Sequence, residues 1–390
     1  MLYSLPIGSC AFILYCMTKD NFGTWLEIDL PILTNNFKII SKATDTLVMP
    51  VIKANAYGHG LERTAQCLER AGAKWFGVAR IEEALLLREI GIRANILVLG
   101  YTSPVRVPHA IKENIVLTVY DQDVVLDYAQ QAEKISEKLT LHVKIDTGMG
   151  RLGFITDQAY DHIALIAKHP YLELQGVFTH FACADEPTEK TTSDQLTRFK
   201  SLLDNLNTHG IYPTLIHAAN SAGALAFMDS RFNMVRVGIA VFGLSPSEQI
   251  ILPDGVKPCL SWKTRLISIK TLPEGHGVSY GFRYITRKQE RIGVIAAGYG
   301  DGLRRVEGNQ VLIRGKRANV VGNVCMDQCM VQLDGIPEAK IGDEVVLVGT
   351  QDGQKISISE VAKRWETIPY EVICGLAARM PRYYIKNTSQ

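Results

Sequence analysis

Between Asp29 and Gly243 short apolar runs alternate with helical stretches, and this alternation limits the fold more than any other feature of the chain. The runs are TLVMPVIK (46–53), KWFGVA (74–79), NILVLG (95–100), NIVLTVY (114–120), TLHVKI (140–145), LELQGVFTH (172–180), PTLIHAA (213–219) and FNMVRVG (232–238). They are close to continuously apolar, as strands covered on both faces of a parallel sheet must be. Between them lie helical segments such as LERTAQCLERAG, IEEALLLREIG and SDQLTRFKSLLDNLNTHG, which stop at Gly72, Gly91 and Gly210. Eight such units with no long insertion predict an α/β fold, a (β/α)8 barrel of the TIM type, more economically than an open doubly wound sheet.

Proline and glycine cluster in PSEQIILPDGVKP (246–258), and there the alternation ends. Beyond it WKTRLISIK, RIGVIAAGY, QVLIRGKRANVVG, MVQLDGI and DEVVLVG have period-two character, so a mostly β C-terminal domain follows. The expected division is an extension over 1–16, the barrel over 17–250 and the β domain over 251–390. TWLEIDL (24–30) also alternates, as a strand that can join either domain. In the extension, AFILYCM is well short of the ~20 apolar residues of a membrane span, and no basic residue precedes it as a signal peptide requires.

Charge excludes some partners. The 42 basic and 40 acidic residues leave a formal net charge of +2, with no electrostatic footprint for nucleic acid or a membrane surface, so a small molecule is the expected partner. The 8 cysteines are scattered through a chain too long to need disulfide staples, which points to reduced thiols and a cytoplasmic location. Cys325 and Cys329 form a C-x3-C pair, but no second pair at zinc spacing accompanies them and no metal is expected.

In a barrel of this type the chemistry sits at the C-terminal ends of the strands. Those ends carry Lys53 with Tyr57, then Lys144, Asp146 and Arg151, then His180, then Asn220 and Ser221, and finally Arg236 followed by Gly238 and Ile239. A lysine buried at a strand end is costly unless its amine is paired, neutralised or covalently engaged. The loops after strands seven and eight commonly bind phosphate in this fold, and here they offer Ser221 and the backbone of Gly238 and Ile239. An aldehyde-binding lysine, a phosphate cradle and a cation in one mouth are what pyridoxal phosphate needs.

The motifs VIKANAYGHG (51–60), KIDTGMGRLG (144–153), FTHFACADE (178–186), HAANSAG (217–223), FNMVRVGIAVFG (232–243), VSYG (278–281), AAGYGDG (296–302) and GNVCMDQCMV (322–331) resemble, in order, those of bacterial alanine racemases. The resemblance covers nearly everything after Met17. It implies a homodimer in which the β domain of one chain completes the barrel mouth of the other. It further implies that Lys53 holds the aldehyde of pyridoxal 5'-phosphate, that Tyr57, Ser221, Gly238 and Ile239 hold its phosphate, that His180 lies against the ring, and that Arg236 faces the pyridine nitrogen. Arg151 would meet the ring hydroxyl and the substrate, the Met326 N–H would help hold the substrate carboxylate, and Tyr280 and Tyr299 would come from the partner. The activity implied is racemisation of alanine, supplying D-alanine for cell-wall peptide.

Inversion of a chiral centre needs two acid/base groups on opposite faces, and Lys53 and Tyr280 fit the two roles. Both have ordinary pKa values of about 10, so cations such as Arg236 and Arg151 must lower them. An arginine donates to the pyridine nitrogen without fully protonating it, which weakens the electron sink and suppresses transamination. Other readings stay open: a broader serine racemase, a decarboxylase of related plan, or a non-catalytic carrier of the cofactor. Ala378 stands where some relatives have a tyrosine, which bears on strictness for alanine. In relatives a lysine at the place of Lys144 can be carbamylated; an ordinary Lys144–Asp146 surface pair is the alternative. His142, His217 and His276 read as structural, and Cys325 reads equally as a reactive or a buried inert thiol.

Overall fold

The computed structural model describes residues 23–188 and 190–386 and divides into two compact units, with Asp29–Cys259 forming one and the strand before Asp29 joining Leu260–Ile385 in the other. The reading of 1–16 as an extension lies outside the described residues.

The first unit is a parallel barrel. Its strands are Leu47–Pro50, Trp75–Val78, Asn95–Val98, Ile115–Val119, Leu139–Asp146, Leu172–Phe178, Leu215–His217 and Met234–Val237, one for each apolar run. The middle six pair in chain order, and Met234–Val237 pairs in parallel with Leu47–Pro50. The Val51–Gly77 bridge joins the first strand to the second, and the Arg236 N–H donates to the Ala219 carbonyl beside the seventh. Met49, Trp75, Leu97, Val116 and Met234, drawn from five of the strands, pack as one buried cluster, with the Trp75 ring 5.5 Å from that of His142.

The second unit is antiparallel. Its strands follow the order Gln354–Ile356, Glu344–Gln351, Gln310–Ile313, Lys316–Val321, Cys329–Gln332, Glu290–Ile295, Leu260–Leu272, Thr24–Asp29 and Arg382–Ile385. Leu260–Leu272 also pairs with Glu344–Gln351, so the sheet closes on itself and protects most of its edges.

The strand that could join either domain joins the β unit, and the boundary after the barrel falls later than 250. Thr24–Asp29 pairs antiparallel with Leu260–Leu272, and the alternation of TWLEIDL reflects that sheet rather than the parallel one. The barrel unit also runs past 250 to Cys259. Asn36 holds that segment: its amide donates to the Val241 and Lys257 carbonyls at 3.0 and 2.8 Å and accepts from the Lys257 N–H at 2.9 Å. No helix among the described residues is long and apolar enough to cross a membrane.

Candidate active site

After the first barrel strand the chain makes an unusual turn. Ile52 is buried and donates its N–H to the Gly77 carbonyl, and Lys53 then emerges exposed at the mouth. The lysine is therefore not the buried amine that its sequence position suggested. Ala54, Asn55, Ala56 and Tyr57 all have φ between 52° and 54°, a left-handed turn made of residues other than glycine. Its braces are specific. The Glu83 carboxylate accepts from the Ala54 N–H at 2.7 Å and the Ala79 N–H at 2.9 Å, while Asn55 Oδ1 accepts from the Leu61 N–H at 2.8 Å. The turn carries Tyr57 inward to Gly238, where an added Cβ would lie 2.4 Å from the Tyr57 hydroxyl. Only glycine admits the phenol there. The Gly238 N–H donates to Ser221 Oγ at 3.0 Å, whereas the Ile239 N–H, in a fully buried residue, has no acceptor among the described residues.

Arg236 sits under the mouth with 3% of its surface exposed and no carboxylate partner among the described residues. Its Nη1 donates to His217 Nδ1 and the His217 carbonyl at 2.8 and 3.0 Å. Its Nη2 donates to the Thr179 and Ala218 carbonyls and to His180 Nδ1, at 2.8, 2.9 and 3.0 Å. The Nε–H alone has no acceptor among the described residues. Because arginine only donates, the two histidine Nδ1 atoms must accept, which fixes their tautomers. His217 then donates from Nε2 to His142 Nδ1 at 2.8 Å, and His142 donates from Nε2 to Gln175 Oε1 at 3.2 Å. Burial, with Arg236 adding to it, holds His217 and His180 well below the usual histidine range, and burial pushes His142 down to about 4. All three rings are neutral near pH 7. Burial also lowers the guanidinium to about 9, still cationic at that pH.

Lys144 is the buried amine of the mouth, at 5% exposure. Burial, then Arg151 and Arg236, push it down to about 8. The surface pair with Asp146, the alternative reading of this lysine, does not form: Asp146 Oδ1 accepts from the N–H groups of Gly148, Met149 and Gly150 at 2.9, 2.9 and 3.1 Å. Burial works to raise that carboxyl, but these backbone donors hold it below the usual range. The Asp146 loop thereby carries Arg151 to the mouth, close enough to act on Lys144 and His180.

The remaining candidates, Tyr280, Tyr299 and Met326, lie in the second unit and are 72%, 47% and 53% exposed. The Met326 carbonyl accepts from the Gly300 N–H at 2.8 Å, while the Met326 N–H has no acceptor among the described residues. The structure thus gathers the predicted residues into two sets, one in each unit. Cys325 is half-buried, its Sγ 3.4 Å from Ser279 Oγ.

Residues 28–246 match the family described as alanine racemase, N-terminal domain, and residues 259–384 match the alanine racemase, C-terminal domain. The chain belongs to the alanine racemase family. An alanine racemase of Symbiobacterium thermophilum is 41% identical over 94% of this chain and 98% of its own length, and one of Geobacillus stearothermophilus is 44% identical over 95% and 96%. Among solved structures, the alanine racemase of Clostridium difficile 630 has a TM-score of 0.89 at 38% identity, covering 95% of this chain and 97% of its own. That of Bacillus anthracis with bound L-Ala-P has a TM-score of 0.88 at 40% identity, covering 94% and 95%.

For a racemase of this family the barrel mouth has a suitable donor set. The Ile239 N–H, the Tyr57 and Ser221 hydroxyls and the Arg236 Nε–H are polar groups that could hold an anionic group and a ring acceptor. Two supporting residues escaped the sequence reading, Glu83 and Gln195, while His217, read as structural, braces Arg236. Gln195 accepts from the Ala182 N–H at 2.9 Å and donates to the His180 carbonyl at 3.0 Å, fixing the loop after strand six. A polar residue recurring on the inward face of a helix was the available signal.

Proposed function

We propose that this chain interconverts L-alanine and D-alanine with pyridoxal phosphate in the barrel mouth and with Lys53 and Tyr280 as the two acid/base groups. The observation that carries the reading is Arg236: buried and, among the described residues, without a carboxylate and with every donor engaged except Nε–H. That donor suits a ring nitrogen. Lys53 would hold the cofactor through its amine, Tyr57, Ser221, Gly238 and Ile239 would hold its phosphate, and His180 would flank the ring. When bound, pyridoxal phosphate supplies a conjugated electron sink for the charge left as the α-proton departs.

The chain's own groups do the rest. Arg151 and the unpaired Met326 N–H would orient the substrate carboxylate, and Tyr299 would line its site. Lys53 Nζ would take or return the α-proton on one face and Tyr280 Oη on the other. Because arginine cannot act as a proton donor at the ring nitrogen in full, transamination is held back. The exposure of Tyr280, Tyr299 and Met326 supports a homodimer in which a second copy covers them. Supply of D-alanine for peptidoglycan in the cytoplasm fits this activity. Lys144, an amine near pKa 8, suits reaction with carbon dioxide to a carbamate that would orient Arg151. The exposed Ala378 supports a second reading, in which serine is also accepted.

The test is incubation with L-alanine in heavy water, following optical rotation, α-deuterium and evolved carbon dioxide. Racemisation with deuterium and no gas is expected. Gas would indicate a decarboxylase, and silence a carrier. Repeating it with serine tests the broader range, and borohydride treatment followed by peptide mapping should find Lys53 modified.

A further inference from the structure

Tyr280 is carried on a turn that its own sequence does not favour. Ser279 sits at φ 65° and ψ −175°, a region that residues with a side chain rarely adopt. Two hydrogen bonds through Asn323 brace the turn, beside the 3.4 Å contact of the Ser279 hydroxyl with Cys325 Sγ. The Ser279 hydroxyl donates to the Asn323 carbonyl at 2.6 Å, and the Asn323 side-chain amide donates to the Tyr280 carbonyl at 2.6 Å. The grip is reciprocal. It also requires glycine at 322, where an added Cβ would stand 2.6 Å from the Val278 carbonyl oxygen and 3.0 Å from Ser279 Cβ.

The same loop reaches further. The Cys325 carbonyl accepts from the Tyr299 N–H at 2.9 Å, and the Met326 carbonyl accepts from the Gly300 N–H at 2.8 Å. Tyr280, Tyr299 and Met326 therefore hang from one segment, Asn323–Met326. With Tyr280 72% exposed, side-chain packing within this chain does little to aim the phenol. The backbone must do it.

We propose that Ser279 and Asn323 are positioning residues that hold the backbone at Ser279 in its positive-φ conformation and so direct the phenol of the next residue, Tyr280, toward the substrate. The inference rests on the reading of Tyr280 as the second acid/base group, and the test separates the two. The measurement is α-hydrogen exchange into L-alanine and D-alanine, taken separately in heavy water, for the holoenzyme and for Tyr280→Phe, Asn323→Ala and Ser279→Gly. Tyr280→Phe should slow exchange of one enantiomer far more than the other. Asn323→Ala and Ser279→Gly should slow that same enantiomer by about 10- to 100-fold, as a misplacement near 1 Å does, and leave the other near its normal rate.

Ser279→Gly also supplies a readout apart from activity. Glycine adopts φ 65° without strain, so the thermal midpoint should hold or rise while exchange falls. A role in folding alone would move the two together. Equal slowing of both enantiomers in the two clamp variants, or no slowing, overturns the proposal while leaving Tyr280 as a base. Absence of enantiomer bias in Tyr280→Phe overturns the reading of Tyr280 and the clamp with it.

Discussion

Two turns carry the proposed acid/base groups, and they are built in opposite ways. The turn after Lys53 places four successive residues, Ala54 to Tyr57, in the left-handed region, at about 1–2 kcal/mol each. The turn before Tyr280 places only Ser279 there. The first is offset by its surroundings: Ala56 and Tyr57 are buried, and Glu83 and Asn55 accept from the backbone on either side. The second rests on two hydrogen bonds to Asn323 and leaves its tyrosine open to water. A barrel interior supports one base from within, while the other relies on a local clamp and on whatever covers that face. On the proposed reading, precision would be intrinsic beside Lys53 and would be completed from outside at Tyr280.

Substituting each base tests this contrast most directly. Lys53→Ala should lower racemisation by about 10⁴-fold or more, and Tyr280→Phe by about 10²- to 10⁴-fold, since each removes one proton carrier. The two should differ in kind. Lys53→Ala also ends borohydride-stable retention of cofactor, whereas Tyr280→Phe keeps it. Loss of retention in Tyr280→Phe would erase the distinction between the turns.

The barrel mouth also confines charge, which the exposed rim of the second unit does not. Lys144 has its pKa lowered from 10.5 to about 8, chiefly by burial. Between those values the unfolded chain binds more protons, so stability should rise with pH from about 8 to 10.5, and the penalty is present in full below pH 8. A shift of that size corresponds to about 3 kcal/mol. Denaturant unfolding of the cofactor-free protein in carbon-dioxide-free buffer should show this rise, and Lys144→Met should abolish it while raising stability at pH 7. An unchanged slope in that variant would place the titration elsewhere.

Glu83 is the next brace to remove. Glu83→Ala removes the acceptor of the Ala54 and Ala79 N–H groups, which water can partly replace, and should destabilise the protein by about 0.5–1.5 kcal/mol, read from denaturant midpoints. Cofactor retention by Lys53 should weaken with it. Were stability to fall with retention intact, the brace would serve the helix alone and not the lysine.

The barrel was legible because its strands are covered on both faces, so each reads as an unbroken apolar run, from TLVMPVIK to FNMVRVG. Lys53 and Arg236 were legible because a charge at the end of such a run needs a reason. The left-handed turn was not: Ala-Asn-Ala carries no signature of positive φ, and Gly58 and Gly60 lie beyond it. Glu83 was hidden because a glutamate in the first turn of the helix Ile81–Glu89 already has an ordinary reason to be there. The tie from Arg236 through His217 to His142 joins three different strands, and pairwise proximity across a barrel cannot be read along one chain. Thr24–Asp29 was ambiguous because alternation specifies one exposed face without saying which sheet supplies the partner.

The smallest expected effect probes whether the first turn is strained at all. Ala54 is exposed and has φ 53° and ψ 53°, so its methyl makes no core packing that a substitution would forfeit. Its N–H, which glycine keeps, is the group that Glu83 accepts from. Ala54→Gly therefore relieves the left-handed penalty, keeps the brace, and adds only the extra freedom of glycine in the unfolded chain. The net should be a gain of about 0.5–1 kcal/mol, seen as a higher thermal midpoint with racemisation unchanged. Ala56→Gly, at a fully buried position, should show no such gain because the lost methyl offsets the relief. Ser279→Gly relieves the same kind of strain but deletes the hydroxyl of the clamp, so there stability and catalysis should part. If Ala54→Gly lowered the midpoint, the left-handed residues would be at rest in the barrel, and the contrast between the two turns would lie in exposure alone.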